Sequence, residues 1–307
     1  MRSRSRIAAW IVGLTVTTVA ATLGCGGGGG GEDSGIQLNA VAFGDGVFVA
    51  VGDSDRAFAN PGPGWTPFVT GVTGLDGVAW SRRLGTFVAV GDGGAILTTV
   101  DGVSWTQQGS PTTVNLFGVA AGEAAVIAVG DGGTILASLD GETWVPRSSG
   151  TDASLYAVAF GGVGEVVAVG AGGTVVVSRD GGLTWAATFS GLTNDLRSVA
   201  YGSNGWVAVG QNGIILQGPE PTDWQLVGDG ILPNLNGVAF LQGLYTVVGD
   251  SGRILTSPDG VVYGESVSNT GQFLFGTAFG NGTFFVVGSG GRALSSVDGV
   301  IYQDSKV

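Results

Sequence analysis

The side chains of this chain that could do chemistry are few and of restricted type. Its 307 residues hold 24 Asp and Glu against 12 Lys and Arg, one Cys and no His. Without His and with a single thiol there can be no Ser-His-Asp triad, no Cys-His pair, no His-ligated zinc and no internal disulfide. Carboxylates, guanidiniums and Cys25 remain, and each falls in a pattern. Asp101, Asp140, Asp180, Asp259 and Asp298 each follow a Ser or Thr by two positions and precede a Gly. Arg56, Arg253 and Arg292 each stand four residues after a Gly that itself recurs along the chain. Three guanidinium forks on one sector would make a site for carboxylate or phosphate, suited to an acidic sugar or an acidic peptide end. Exposed pairing with Asp53, Asp55 and Asp250 at the same turns is the alternative. The acidic balance argues against nucleic acid, which needs clustered basic residues. Repeated Asp turns could offer oxygen to calcium, but no D-x-D-x-D-G loop occurs. Neither a metal nor a cofactor is expected.

The elements that position these residues repeat. A Gly closing an apolar run recurs at 52, 91, 130, 170, 210, 249 and 288, at spacings of 39 or 40. An aromatic recurs at Trp65, Trp105, Trp144, Trp185, Trp224, Tyr263 and Tyr302, and a Leu at 38, 75, 116, 155, 196, 235 and 274. Each unit divides into four short runs rich in Val, Ile, Phe and Trp, bounded by Gly or Asp, which is strand and hairpin chemistry. No window carries a sustained helical period. Four-strand units of about 40 residues predict an all-β fold, a seven-bladed β-propeller of four-stranded antiparallel blades. The units run approximately 36–73, 74–113, 114–153, 154–194, 195–233, 234–272 and 273–307. Small residues in each first strand, such as Gly77/Ala79 and Gly118/Ala120, suit an inner strand crowded around an axis. A linear β-solenoid is the rival architecture. The 60 Gly of the chain are mostly punctuation for these turns.

The turn Ser178-Arg179-Asp180-Gly181-Gly182-Leu183-Thr184-Trp185, with its relatives in four other units, resembles the Asp-box (BNR) repeat of sialidases, sortilin-type receptors and the photosystem II stability and assembly factor family. With Leu-x-x-Val-Ala-Phe ahead of Val-Gly-x-Gly-Gly, the unit is most similar to the last of these, over residues 36–307. Read from the residues alone, the five Asp maintain the fold. A turn Asp or Ser bonds its own backbone and the Gly supplies a positive φ. Units one and five replace this turn with Pro-rich segments around Pro61, Pro63, Pro219 and Pro221.

A site must break the repeat, because identical units make identical surfaces. The residue after the recurring Leu varies most: Asn39, Asp76, Phe117, Tyr156, Arg197, Asn236 and Phe275. These positions are expected near the channel mouth, on the face opposite the Asp turns, where propellers of this resemblance usually bind ligands. Together with Arg56, Arg253 and Arg292 they are the candidate ligand-binding residues, and solvent-facing strand ends that tolerate any residue are the alternative. The resemblance raises three functions. The first is a non-catalytic monomeric propeller that binds or assembles a protein or anionic glycan or peptide partner. The second is a sialidase-like glycoside hydrolase using the Arg sector, for which no Tyr–Glu nucleophile pair and acid can be assembled from the sequence. The third is a purely structural envelope protein.

Residues 1–24 read as a processing segment, with Arg2, Arg4 and Arg6 ahead of an apolar stretch to Leu23. Thr22-Leu23-Gly24-Cys25 resembles a bacterial lipoprotein signal, which implies lipidation of Cys25, export, membrane attachment through the lipid and, in a Gram-negative cell, sorting to the outer membrane. An uncleaved single-pass anchor is the alternative. Residues 25–35 would then be a Gly-rich tether. Removing the leader takes three of the 12 basic residues and none of the 24 acidic ones, so the mature domain would carry a net charge of −15.

Overall fold

A computed structural model describes residues 36–60, 64–228 and 233–305 of the chain. The leader, Cys25 and the Gly-rich segment lie outside the described residues. In the first unit, β1 (Leu38–Gly44), β2 (Val47–Gly52), β3 (Arg56–Asn60) and β4 (Thr66–Val69) pair in order, each antiparallel to the next. Six further four-stranded sheets follow the same order, beginning at Leu75, Leu116, Leu155, Leu196, Leu235 and Leu274. The protein is an all-β, seven-bladed propeller. The fourth strand is the weak one, and in the second, fifth and seventh blades it pairs over only two residues. In those blades its residues are exposed, so little apolar burial defines it.

First strands lie innermost and are buried on both faces, because each is covered by a neighbouring blade as well as by its own. Their small residues meet the next blade's backbone directly. A Cβ on Gly118 would stand 2.8 Å from the Tyr156 carbonyl oxygen, and one on Gly276 would stand 3.2 Å from the Ala40 Cα. The Ser198 hydroxyl accepts from the Val238 N–H at 3.1 Å.

The recurring aromatic fastens each blade to the one before it. Trp144 packs among Val88 and Leu97 of the second blade, Trp185 among Ile127 and Val129 of the third, and Tyr302 among Ile254 and Val248 of the sixth. The turn before it is self-contained. Ser138 Oγ donates to Asp140 Oδ1 at 3.1 Å, and Asp140 Oδ1 accepts from the Glu142 and Thr143 N–H groups at 2.9 and 2.7 Å. The indole of Trp144 donates to the Gly141 carbonyl at 3.3 Å. The bonds to the carboxylate recur around Asp101, Asp259 and Asp298, and around Asp180 with one extra residue, Gly182, taken into the turn, while the indole bond recurs only at Trp105 and Trp185 among these. Each of these five carboxylates thus has its hydrogen bonds within its own turn.

Every blade is built from one contiguous stretch, so the ring closes without an exchanged strand, chiefly by side-chain packing. At the seam, Phe285 meets Phe48 with ring centroids 4.5 Å apart and Trp65 edge-on at 5.4 Å. The equivalent positions in the first four blades are Val49, Val88, Ile127 and Val167, so the seam is filled by a larger side chain. Phe285→Ala is expected to destabilise the domain by about 3–5 kcal/mol, read as a lower denaturation midpoint in urea. Val300→Ala, on an exposed turn, is expected to change it by less than about 0.5 kcal/mol.

Candidate functional site

The residue after the recurring Leu takes its orientation from a β-bulge. In the first blade Leu38 pairs with Gly52 and Ala40 with Val51, leaving Asn39 as the extra residue. The same shift leaves Asp76, Phe117, Tyr156, Arg197, Asn236 and Phe275 unpaired in the other six. The recurring Gly makes it possible: a Cβ on Gly52 would lie 1.8 Å from the Gln37 carbonyl oxygen, and one on Gly130 would lie 2.1 Å from that of Asn115. A bulge re-aims its side chain, and here seven re-aimed side chains circle the inner rim. They share that end of the channel with the turns between second and third strands.

The rim is more buried and more internally bonded than solvent-facing strand ends would be. Asn39 and Asn236 are each 1 % exposed. Asn39 donates to Asp53 Oδ1 at 2.8 Å and to the Leu75 carbonyl of the next blade at 3.1 Å, while Asn236 donates to Asp250 Oδ1 at 2.9 Å and to the Leu274 carbonyl at 3.0 Å. These two candidates are inter-blade fasteners. Arg197 Nη1 donates to Asn236 Oδ1 at 2.6 Å. Phe117 and Tyr156 meet at 5.8 Å and pack on Ala171, forming a small aromatic shelf separate from the blade cores.

The arginines expected to gather an anion lie elsewhere. Arg56 and Arg292 are in third strands, and Arg253 immediately precedes one. Arg253 pairs with Glu265 at 3.7 Å, Arg292 with Asp304, and Arg56 with Asp55 at 4.0 Å. Each therefore has a carboxylate beside it, and no side-chain hydrogen bond or ion pair among the described residues links them to one another or to the rim. The partner expected for Arg56, Asp55, is there. Asp53 and Asp250, the others expected, are instead held by the rim asparagines.

A second circle of polar residues around the seven was missed in the sequence. The residue after the recurring Gly and the residue before the recurring Leu bond to one another, across a blade junction in Ser154 to Asp131 at 3.0 Å and within one blade in Gln211 to Asp195 at 2.9 Å and Asn234 to Asp250 at 2.9 Å. Its visible signal was Asp directly after Gly in four units, at 53, 92, 131 and 250. The inner rim thus carries Asp53, Asp76, Asp92, Asp131, Asp195 and Asp250 against Arg197 alone. Among the described residues no group of three or more Asp, Glu, Cys or His is disposed to hold a metal ion.

This crowding shows in the titration of the rim. Burial, then the carboxylates of Asp92 and Asp53, push Asp76 up to about 8. Burial, then Asp195 and Asp131, push Tyr156 up to about 12, with Arg197 opposing. Asp140, by contrast, is held at about 2 by the backbone N–H groups of its turn. Folded Asp76 keeps a proton that the unfolded chain has lost between pH 4 and 8, so its contribution makes stability fall as pH rises through that window. The turn Asp contribution runs the other way, and stability is lost as pH falls from 4 towards 2. Thermal stability is expected to peak near pH 4–5. Asp76→Asn is expected to flatten the alkaline side and to exceed the natural protein by about 2 kcal/mol at pH 8–9, with no gain at pH 4.

No protein-family model matches the chain, and no curated protein matches it. Solved structures do. A structure described as YCF48 bound to D1 peptide superposes with a TM-score of 0.66 at 17 % identity, covering 91 % of this chain and 97 % of that one. YCF48 from Cyanidioschyzon merolae gives a TM-score of 0.58 at 18 % identity, covering 76 % and 86 %. At these identities the likeness is one of fold: the chain shares the propeller architecture of YCF48.

Proposed function

We propose that this chain is a non-catalytic binding propeller that receives a peptide segment of a protein partner at the channel mouth. The observation that carries this reading is the bulge ring. Seven otherwise regular blades place their least regular side chains together on one inner rim, where aromatic, amide and charged groups adjoin. Such a mixture suits recognition. Support comes from the structural neighbour described as bound to D1 peptide, which shows that a propeller of this architecture can carry a peptide.

The same reading takes the leader as a lipoprotein signal, with Cys25 lipidated and the domain held at the cell envelope, in the outer membrane of a Gram-negative cell. The domain begins at the mouth end, since Ile36 accepts from the Gly291 N–H and leads directly into β1. Residues 25–35 can span at most about 36–40 Å, so a lipid on Cys25 would keep the mouth within reach of the bilayer and of membrane-proximal segments of a partner. The glycosidase reading gains nothing from the arginines, each of which has a carboxylate neighbour.

Two measurements test this. A photo-crosslinking amino acid in place of Arg197 is expected to capture a discrete protein partner in the native envelope, while the same group in place of Val300 on the opposite face captures none; equal capture from both faces would reject the mouth as the binding surface. Cys25→Ala is expected to abolish fatty-acid labelling and release the domain from the membrane fraction. Retention in the membrane with the leader intact would favour the uncleaved anchor.

A further inference from the structure

Two shallow polar grooves also open on the mouth face. One lies beside Asp92–Ala95 and Gly71–Thr73, the other beside Gly132–Leu136 and Pro111–Thr112. They occupy equivalent places in consecutive blades, so they belong to the unit and select nothing. The inner rim differs from blade to blade and has a charge of its own.

Three observations converge there. The acidic second circle brings Asp131 and Asp195 to the shelf from the two neighbouring blades: Asp131 accepts from Ser154, two residues before Tyr156, at 3.0 Å, and Asp195 accepts from the Gly172 N–H at 2.9 Å, next to the Ala171 on which the shelf packs. Tyr156 is 7 % exposed, yet its hydroxyl has no hydrogen-bond partner among the described residues. Unlike the Tyr263 and Tyr302 hydroxyls, which are buried, that of Tyr156 is reached by solvent at the rim, whereas Tyr245 donates to the Gly205 carbonyl at 2.8 Å. The ring itself stacks edge-on with Phe117, leaving an aromatic shelf between two carboxylates. The one cation of the rim, Arg197, also acts on Tyr156, but it donates to Asn236 and makes no ion pair with either carboxylate.

Resting on the peptide-binding reading above, we propose that the segment received at the mouth is cationic, with an Arg or Lys side chain seated on the Phe117–Tyr156 shelf between Asp131 and Asp195. A guanidinium there gains the ring quadrupole, two carboxylates and an open phenolic acceptor. An acidic segment would meet six carboxyl groups for one guanidinium, and repulsion of that kind excludes the wrong partner as effectively as contacts admit the right one.

The full mature chain is titrated by fluorescence anisotropy with a labelled decapeptide carrying three Arg and with its counterpart carrying three Glu, in about 0.1 M salt to suppress the field of the whole acidic domain. The Arg peptide is expected to bind at least about tenfold tighter than the Glu peptide. Asp131→Asn combined with Asp195→Asn should weaken it about tenfold, and Tyr156→Leu severalfold. Glu123→Gln combined with Glu142→Gln, which removes the same charge from exposed positions elsewhere, should change it less than about twofold. Asp131→Asn alone serves if the double variant melts early, because Asn keeps an acceptor for Ser154. Equal or tighter binding of the Glu peptide overturns the cationic assignment and leaves peptide binding standing. Equal loss in the mouth and control pairs overturns it as non-specific attraction. If neither peptide binds, the assignment falls, while crosslinking at position 197 still decides whether a partner docks at the mouth.

Discussion

The structure depends on a close approach that only glycine permits. At the end of every second strand, a carbonyl oxygen from the start of the first strand occupies the place where a Cβ would stand, about 2 Å from its ideal position. An Ala there would force the strands apart, and the bulge could not close. Three consequences share this cause. The first strand gains one residue over its partner, the extra side chain is turned to the rim, and the carbonyl of the recurring Leu becomes available to the preceding blade. Asn39 and Asn236 use that carbonyl. The recurring Gly is therefore as much a part of the site as the residues that face it.

A second constraint is directional. Each blade's Trp or Tyr packs on the blade before it, so blades are coupled in series and the first has only the seventh to lean on. Many propellers close by exchanging a strand between the ends of the chain. Here the seam is filled by Phe48, Phe285 and Trp65 and by a bond from Asn281 to the Gly46 carbonyl at 3.1 Å. Dispersion and area replace a hydrogen-bonded ladder, and such contacts fall away quickly when a void opens. That is why a seam filled by one large residue concentrates the cost of a substitution that the other junctions would spread.

What repeats was legible in the sequence, and what breaks the repeat was legible only by position. The Gly, Leu and aromatic series predicted seven four-stranded blades because spacing alone carries that information. The same series marked position 39 and its equivalents as variable, but not what they do. The bonds of Asn39 and Asn236 reach residues 36 and 38 positions away, and they exist only once neighbouring blades are docked. The arginines mislead for a related reason. Glu265 and Asp304 lie in fourth strands whose register no apolar pattern announces, because those residues face water. Asp53 and Asp250 looked free for Arg56 and Arg253, yet a rim amide reaches each of them.

One residue type serves opposite ends of the channel in opposite ways. In the Asp turns, two backbone N–H groups and a hydroxyl converge on each carboxylate, holding Asp140 and Asp180 at about 2 and using up their acceptor capacity. Such carboxylates attract little, because the charge is already answered. At the mouth the donors are fewer and the carboxyls face one another, so Asp76 is pushed to about 8 by burial and by its neighbours. A carboxyl that keeps its proton for want of a counter-charge is one that a cationic ligand can ionise. Partial neutralisation from within, by Asn39, Gln211 and Ser154, keeps the ring folded without cancelling its sign. The fold thus spends its acidity on architecture at one face and leaves it available for recognition at the other.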